Sequence, residues 1–223
     1  MRALLIVKIK AVIFDLDGVL CFTDKYYLEA WTRLAKTHGL SLPPDFSLPT
    51  KGVGRRGSLD ILLGSESNNY TESEKEEMAK EKNGIYCSLI DSMSSSDIAP
   101  GALDVLKYLQ EKGIKIALGS SSRNARTIIK KLGIEKEFDV IVDGTLIKKG
   151  KPDPEVFNEA ARLLKVPNNV SLVVEDSIAG IIAARRGGFM TAFISSLPMP
   201  GDVMIYAKSL SSLKDKIEKR MNI

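Results

Sequence analysis

The chain has 223 residues, of which 44% are hydrophobic and 27% charged, and its formal net charge is +4. These values are ordinary for a globular protein that is long enough to bury a sizeable core. Because the positive charge is mild and no dense lysine and arginine run occurs, we expect no nucleic-acid partner, although an anionic small molecule would suit the charge. The presence of only one histidine argues against a histidine triad or a multi-histidine metal site.

The cellular compartment follows from cysteine usage and from the first residues. Cys21 and Cys87 follow no metal-ligand spacing, and we expect both to be free thiols in a reducing compartment. The opening "MRALLIVKIK" has an apolar run too short for a signal peptide, and no stretch approaches the ~20 apolar residues of a membrane span. We therefore expect a cytoplasmic protein with no membrane partner, and we expect it to be a monomer.

The stretch "KAVIFDLDGVLCF" (10–22) joins a strand-like apolar run to two acids, Asp15 and Asp17. Acids are seldom buried unless they are paired, protonated or bound to a metal. Asp-Gly is also a common turn pair, so this motif alone leaves a plain strand-end turn as an alternative.

Residues 25–93 differ from the rest, because they show helical spacing, high charge and no convincing strand. This predicts a small all-helical insert between the first strand and the rest of the sheet, with "SMSSSD" (92–97) as the hinge on the return side. Residues 1–24 and 94–223 would then form the domain that holds the sheet.

Beyond residue 100, short apolar runs alternate with amphipathic segments. The predicted strands are 114–120, 138–144, 171–176 and 191–195, and the predicted helices lie near 102–112, 124–132, 154–165 and 178–187. Together with the first strand, this alternation predicts an α/β fold, in which a Rossmann-like, mostly parallel sheet is flanked by helices.

Ligands of open parallel sheets bind at the carboxyl ends of the strands. The predicted strand ends carry Asp15 and Asp17, then Ser120, then Glu175 and Asp176. Four carboxylates in one cleft would repel each other, and a divalent cation relieves that repulsion. Oxygen ligands without histidine or cysteine favour Mg²⁺.

The same set of groups suits phosphoryl transfer. Lys151, in "GKPDP", and a metal ion would neutralise a phosphate, while the hydroxyl of Ser120 would orient its oxygens. One carboxylate can attack phosphorus to form an aspartyl-phosphate, and a second, two residues on, can transfer a proton. Ser120 could also simply cap the following helix and Lys151 could be a solvated loop lysine. A helix N-terminus is itself an anion site, so capping and binding are compatible.

Four motifs, "DLDGVL", "GSSSRN", "GKPDPEVF" and "VVEDSIAGI", resemble those of the haloacid dehalogenase (HAD) superfamily in order and spacing. The resemblance spans nearly the whole chain and includes the helical insert as a cap. Within the superfamily, "KGV.RR.SL" and "AKEKN" resemble the β-phosphoglucomutase-like branch. The resemblance implies that Asp15 is the nucleophile, that Asp17 is the general acid/base, that Ser120 binds the transferring phosphoryl group and that Lys151 balances its charge. The Mg²⁺ ligands that it implies are Asp15, Asp17 through its backbone carbonyl and Asp176, with Glu175 in or next to that shell.

The resemblance assigns Arg55, in the cap, to the non-reacting phosphate of a phosphorylated sugar, and it places Ser58, Lys82 and Asn124 close to the substrate. The alternative for Arg55 and Lys82 is a pair of solvated charges. Arg55 lies in "GVGRRG", which also spells a dinucleotide fingerprint. We reject that interpretation because a proline-rich loop, and no strand, precedes it.

Two positions depart from the branch that the chain resembles. Tyr27 stands where the branch has a histidine associated with cap closure, and Gly54 replaces a usual serine. Tyrosine cannot titrate near neutrality as imidazole does, although its hydroxyl could still donate to Asp17. We predict a Mg²⁺-dependent β-phosphoglucomutase that interconverts β-glucose 1-phosphate and glucose 6-phosphate. The alternative is a HAD phosphatase acting on a sugar phosphate or a similar small phosphoester.

Overall fold

The computed structural model describes residues 8–196 and 201–221. Within these residues six β-strands form one sheet: β1 (Ala11–Phe14), β2 (Lys115–Gly119), β3 (Val140–Val142), β4 (Ser171–Glu175), β5 (Met190–Ile194) and β6 (Ile205–Ala207). The helices are α1 (Asp24–Thr37), α2 (Ser47–Thr50), α3 (Arg55–Leu63), α4 (Glu72–Ile90), α5 (Ala102–Glu111), α6 (Ala125–Leu132), α7 (Glu155–Leu164), α8 (Ile178–Arg186) and α9 (Leu210–Met221).

All strand pairings in the sheet are parallel, and the strand order is β3-β2-β1-β4-β5-β6. The first strand in the chain is therefore central, with Ile13 in register with Ala117 on one side and with Val173 on the other. The predicted α/β class with a parallel sheet is confirmed. The carboxyl ends of β1, β2 and β4 meet at one edge, where open sheets of this kind bind ligands.

The apolar run before Asp15 is continuous because both faces of the sheet are covered. Val12 and Phe14 pack into a large cluster on one face, while Ala11 and Ile13 pack into a second cluster on the other. Successive side chains of a strand point to opposite faces, so a strand buried on both sides needs apolar residues at every position.

The segment between β1 and α5 is helical, as predicted, and has a core of its own. Trp31 packs edge-on against Phe46, with ring centroids 5.5 Å apart, inside a cluster that includes Leu59 and Met78. The end of α4 departs from a clean division, because Tyr86 and Ile90 pack into the cluster beside the sheet. We keep the name cap for residues 25–93; its bounds remain a prediction.

The final strand and helix were not among the predicted elements. β6 has only three residues and lies at the edge of the sheet, which is too short a run for a period to be recognised. In α9 the buried residues Leu210, Leu213 and Ile217 have helical spacing, but serines and charged residues separate them. None of the helices in the described ranges combines the length and the apolar character that a membrane span requires.

Candidate active site

The two acids after β1 lie in a loop that presses against the end of β4. The backbone N–H of Asp15 donates to the carbonyl of Val174 at 3.0 Å, so the acid follows directly on the sheet ladder. Gly18 has φ +79°, and a Cβ atom there would lie 1.8 Å from Asp176 Oδ2. Only glycine allows this approach, which brings the loop after β1 against the acidic turn after β4.

Lys151 joins Asp15 to Glu175 below the surface. Its ammonium lies 2.7 Å from Asp15 Oδ1 and 2.6 Å from Glu175 Oε1, and the lysine is only 3% exposed. Burial opposes the charge of Lys151, but the two carboxylates outweigh it and raise the pKa of the lysine. Burial also raises the pKa of Asp15, against the opposing effect of Lys151. The loop "GKPDP" therefore delivers its lysine to the predicted nucleophile.

The carboxylate of Glu175 is held by four donors. Its Oε2 accepts from the backbone N–H groups of Asp176 and Ser177, both at 2.9 Å, and from the Ser177 hydroxyl at 2.8 Å, while Oε1 accepts from Lys151. Three of these donors converge on Oε2, whereas Oε1 accepts from Lys151 alone and keeps an acceptor position free. Glu175 thus orients Lys151 and the turn before α8 and can still offer Oε1 to a cation.

Asp15, Glu175 and Asp176 each offer a carboxylate oxygen, and these oxygens lie within 4.8 Å of one another. Asp176 Oδ1 is buried and has no hydrogen-bond partner among the described residues. A buried anionic oxygen without a donor is costly, and a cation at this point would satisfy it. The cluster therefore fits a divalent metal ion, and its all-oxygen chemistry suits Mg²⁺. The side chain of Asp17 lies outside the cluster.

Asp17 is hydrogen-bonded to Thr23, whose hydroxyl donates to Asp17 Oδ1. Burial raises the pKa of Asp17, and the Thr23 hydrogen bond partly opposes this rise. A raised pKa keeps a larger protonated fraction near neutrality, which suits a group that must both give and take a proton.

Ser120 directly follows β2 at the same edge of the sheet. Its N–H donates to the carbonyl of Val142 at 3.0 Å, and its hydroxyl oxygen accepts from the N–H of Ser122 at 3.1 Å. The latter bond belongs to the turn that leads into α6. The side chain therefore has a turn-forming role and also borders the cavity described next.

A cavity of about 470 Å³ lies between the sheet edge and the cap. Its walls include residues from both parts, among them Asp15, Asp17, Thr23, Tyr27, Lys51, Arg55, Lys82, Ser120, Arg123, Asn124 and Lys151. The structure thus brings the predicted catalytic residues and three of the four predicted substrate-binding residues to one space.

Arg55 and Asn124 face each other across the boundary between cap and core. Arg55 Nη2 donates to Asn83 Oδ1 at 2.7 Å, and Asn124 Nδ2 donates to the same oxygen at 2.8 Å. Both residues are half-buried. The cap arginine and the core asparagine are therefore linked through one carboxamide.

Lys82 is buried among aromatic rings. Its ammonium lies 4.4 Å from the ring centres of Tyr27 and Tyr86 and 5.1 Å from that of Trp31. Burial, with the nearby positive charge of Arg55, lowers the pKa of Lys82 to about 7. The cation–π contacts compensate part of the desolvation of the ammonium.

Ser58, the fourth predicted substrate-binding residue, is placed differently. It is fully buried, it accepts a 2.7 Å hydrogen bond from the Tyr27 hydroxyl, and it lies outside the described cavity walls. Its hydroxyl also donates to the carbonyl of Gly54 at 3.2 Å. The resemblance predicts that Ser58 lies close to the substrate. In the structure its hydroxyl contacts Tyr27.

Sequence reasoning missed three partners of the site: Thr23, Lys51 and Asn83. Lys51, from the cap, lies 2.6 Å from Asp176 Oδ2. Burial and the Glu175 carboxylate raise the pKa of Asp176 to about 7, and Lys51 opposes that rise. Lys51 and Asn83 occur inside the motifs "KGV.RR.SL" and "AKEKN", but their partners come from distant parts of the chain, so no local pattern identifies the contacts.

Comparison with known proteins identifies the family that has this architecture, a parallel sheet with acids at its strand ends and a helical cap. Residues 9–188 match the haloacid dehalogenase-like hydrolase family, and the chain belongs to that family. Within it, the chain falls in the β-phosphoglucomutase-like branch.

Three relatives support this placement. The β-phosphoglucomutase of Bacillus subtilis is 40% identical over 195 residues, covering 86% of each chain. The phosphorylated carbohydrates phosphatase of Thermotoga maritima is 36% identical over 182 residues, covering 80% of this chain and 82% of the relative. The crystal structure of β-phosphoglucomutase from Clostridium difficile superimposes with a TM-score of 0.91 at 36% identity, covering 96% of this chain and 97% of that one. The chain is therefore an enzyme, and it is either a mutase or a phosphatase.

Proposed function

We propose that this enzyme is a Mg²⁺-dependent β-phosphoglucomutase that transfers a phosphoryl group through Asp15. The observation that carries the proposal is the single cavity that joins the Asp15–Lys151 pair to the cap cations Arg55 and Lys82. A hexose that carries phosphate at opposite ends needs cationic groups at both ends of its site. The 40% identical relative from Bacillus subtilis, named β-phosphoglucomutase, supports the same choice.

Asp15 and Asp176 would supply side-chain ligands to Mg²⁺, and the backbone carbonyl of Asp17 would supply a third. Glu175, whose Oε2 accepts three hydrogen bonds and whose Oε1 accepts from Lys151 alone, would lie in or next to the metal shell. The bound ion would offset negative charge on the carboxylates and on the phosphoryl oxygens. Lys151, whose ammonium lies 2.7 Å from Asp15 Oδ1, would add a positive charge beside the same carboxylate.

In the proposed reaction a carboxylate oxygen of Asp15 attacks phosphorus, and the bond from phosphorus to the sugar oxygen breaks. Asp17 gives its proton to that leaving oxygen and later takes the proton of the sugar hydroxyl that attacks the aspartyl-phosphate. The hydroxyl of Ser120 orients the phosphoryl oxygens during both transfers. The donor is the C1 phosphate of glucose 1,6-bisphosphate, whose loss to Asp15 leaves glucose 6-phosphate. The acceptor is the 6-hydroxyl of β-glucose 1-phosphate, whose attack on the aspartyl-phosphate regenerates the bisphosphate and frees Asp15.

The second candidate function is hydrolysis of a sugar phosphate by the same core residues. Two observations favour it: Tyr27 occupies the position of the histidine associated with cap closure, and its hydroxyl is bonded to Ser58. The 36% identical relative from Thermotoga maritima is named a phosphatase. Mutase and phosphatase differ in whether a sugar hydroxyl or water meets the aspartyl-phosphate, and a closed cap excludes water.

One reaction followed for two products tests the proposal. The protein is given Mg²⁺, β-glucose 1-phosphate and a trace of glucose 1,6-bisphosphate, and glucose 6-phosphate and free phosphate are measured together. Glucose 6-phosphate without matching free phosphate supports the mutase. Free phosphate released in step with substrate loss contradicts it and supports the phosphatase.

A further inference from the structure

The carboxamide of Asn83 connects the cap and the core through one oxygen atom. Its Oδ1 accepts from Arg55 Nη2 at 2.7 Å and from Asn124 Nδ2 at 2.8 Å. Arg55 is the first residue of α3 in the cap, whereas Asn124 precedes α6 in the core. Two donors that are 69 positions apart in the sequence (124 − 55) therefore converge on a single acceptor.

The direction of these hydrogen bonds is fixed by chemistry. A guanidinium group can only donate, so the oxygen of Asn83 must face Arg55. That oxygen can also accept from Asn124 only if Asn124 presents its amide nitrogen. The oxygen of Asn124 then faces Cys87, whose sulfur lies 3.7 Å away and acts as a weak donor. The orientation of Arg55 thus determines the orientation of Asn124 through Asn83.

The charges around Arg55 favour an anion. Arg55 is half-buried, and burial together with the nearby Arg123 lowers its pKa. The same arginine contributes to the lowered pKa of Lys82. Within the described residues Arg55 forms no salt bridge, and its hydrogen-bonding partner is a neutral amide. A neutral acceptor orients the guanidinium and leaves its charge available to a ligand.

Asn83 lies outside the described walls of the cavity, whereas Arg55 and Asn124 border it. Asn83 therefore acts through these two side chains. We infer that Asn83 is a positioning residue that holds Arg55 and Asn124 together as one anion-binding group for the phosphate remote from Asp15, and that its neutrality is required. This inference rests on the proposed sugar-phosphate function and specifies how the far end of that site is built.

Two variants separate the effect of orienting Arg55 and Asn124 from the effect of the charge at position 83. Asn83→Ala removes the shared acceptor, and Asn83→Asp keeps an acceptor but adds a carboxylate that would neutralise Arg55. The matched controls are Asn69→Ala and Asn69→Asp, which make the same changes at an exposed asparagine of the cap. For each variant, kcat and KM are measured with β-glucose 1-phosphate, whose phosphate lies at the remote end while its 6-hydroxyl reacts, and with p-nitrophenyl phosphate, whose phosphate must lie at Asp15 to react. The unfolding temperature is measured alongside.

Asn83→Ala should raise KM for β-glucose 1-phosphate about tenfold, the usual effect of losing a hydrogen bond to a charged group, with a smaller change in kcat. Asn83→Asp should raise this KM further, although its carboxylate can still accept the hydrogen bonds from Arg55 and Asn124. Turnover of p-nitrophenyl phosphate by the Asn83 variants should stay within about twofold of the wild-type rate. Turnover of both substrates by the Asn69 controls should also stay within about twofold of the wild-type rate. Equal losses with both substrates, or an Asn83→Asp variant that binds the sugar phosphate like the wild type, would overturn the inference.

A wild-type protein that hydrolyses p-nitrophenyl phosphate but does not turn over β-glucose 1-phosphate would sink the proposed function without deciding the role of Asn83. In that case the inhibition constant of glucose 1,6-bisphosphate against p-nitrophenyl phosphate hydrolysis replaces KM. We expect the wild type to have the lowest inhibition constant, followed by Asn83→Ala and then by Asn83→Asp. Equal inhibition constants in all three proteins would reject the inference by this second route.

Discussion

The hydroxyl of Tyr27 donates to Ser58 Oγ at 2.7 Å, and the centre of the Tyr27 ring lies 4.4 Å from the ammonium of Lys82. Tyr27 is thereby held inside the cap by one polar and one cation–π contact. Burial raises the pKa of Tyr27, with the Ser58 hydrogen bond opposing this, so the hydroxyl stays protonated at neutral pH. At this position, where the resemblance implies a histidine in the β-phosphoglucomutase-like branch, the chain has a group that donates a hydrogen bond and stays protonated at neutral pH.

The first prediction follows from that difference. Tyr27→His should raise the ratio of glucose 6-phosphate to free phosphate, because an imidazole can couple its protonation to Asp17 near pH 7. Tyr27→Phe is the matched control, since it keeps the ring and removes only the hydroxyl. An unchanged product ratio in Tyr27→His would mean that the tyrosine already serves cap closure or that this position does not influence the acceptor.

A second prediction concerns the remote phosphate. Arg55→Ala should reduce kcat/KM for β-glucose 1-phosphate by about 10- to 100-fold, the cost of losing charge-assisted hydrogen bonds, with much less effect on p-nitrophenyl phosphate. Arg33→Ala removes the same charge from an exposed position of the cap that is paired with Glu29, and should change neither substrate. If Arg55→Ala impairs both substrates equally, Arg55 does not hold a distal phosphate.

A third prediction concerns pH. Because the pKa of Lys82 is about 7, the ammonium is charged below that pH and loses its charge above it. The KM for β-glucose 1-phosphate should therefore rise between about pH 7 and pH 9, a range in which a phosphate monoester is already a dianion. In Lys82→Arg the group stays charged and the rise should disappear. The same pH profile of KM in wild type and Lys82→Arg would refute the role of Lys82.

A fourth prediction concerns Gly180, at the start of α8. A Cβ atom there would lie 1.9 Å from the carboxyl carbon of Glu175, so Gly180→Ala must displace the carboxylate that holds Lys151. We expect this variant to lose about 1–3 kcal/mol of unfolding free energy in urea. Gly84→Ala, inside α4 with open space around it, should instead gain up to about 1 kcal/mol. Equal stabilities would show that the Glu175 pocket tolerates a methyl group.

Sequence reasoning reached those parts of the site that depend on the order of the strands. Asp15 and Ser120 each directly follow a strand and Glu175 ends one, so a parallel sheet alone is enough to bring them to one edge. The contact of Lys51 with Asp176 could not be predicted in this way, since it depends on how the cap rests on the core. Ser58 illustrates the same limit: the motif predicts that it lies close to the substrate, but its hydrogen bond with Tyr27 joins α3 to α1 and no local pattern reveals that contact.

The most direct test of the account is to look for phosphate bound to the protein. Labelled glucose 1,6-bisphosphate is mixed with the protein and Mg²⁺, the reaction is stopped in acid within milliseconds, and protein-bound label is counted. We predict an early burst approaching about one phosphate per chain, located on the peptide that contains Asp15 and absent from Asp15→Asn. Full turnover by the wild type with no protein-bound label, or turnover that persists in Asp15→Asn, would contradict transfer through Asp15.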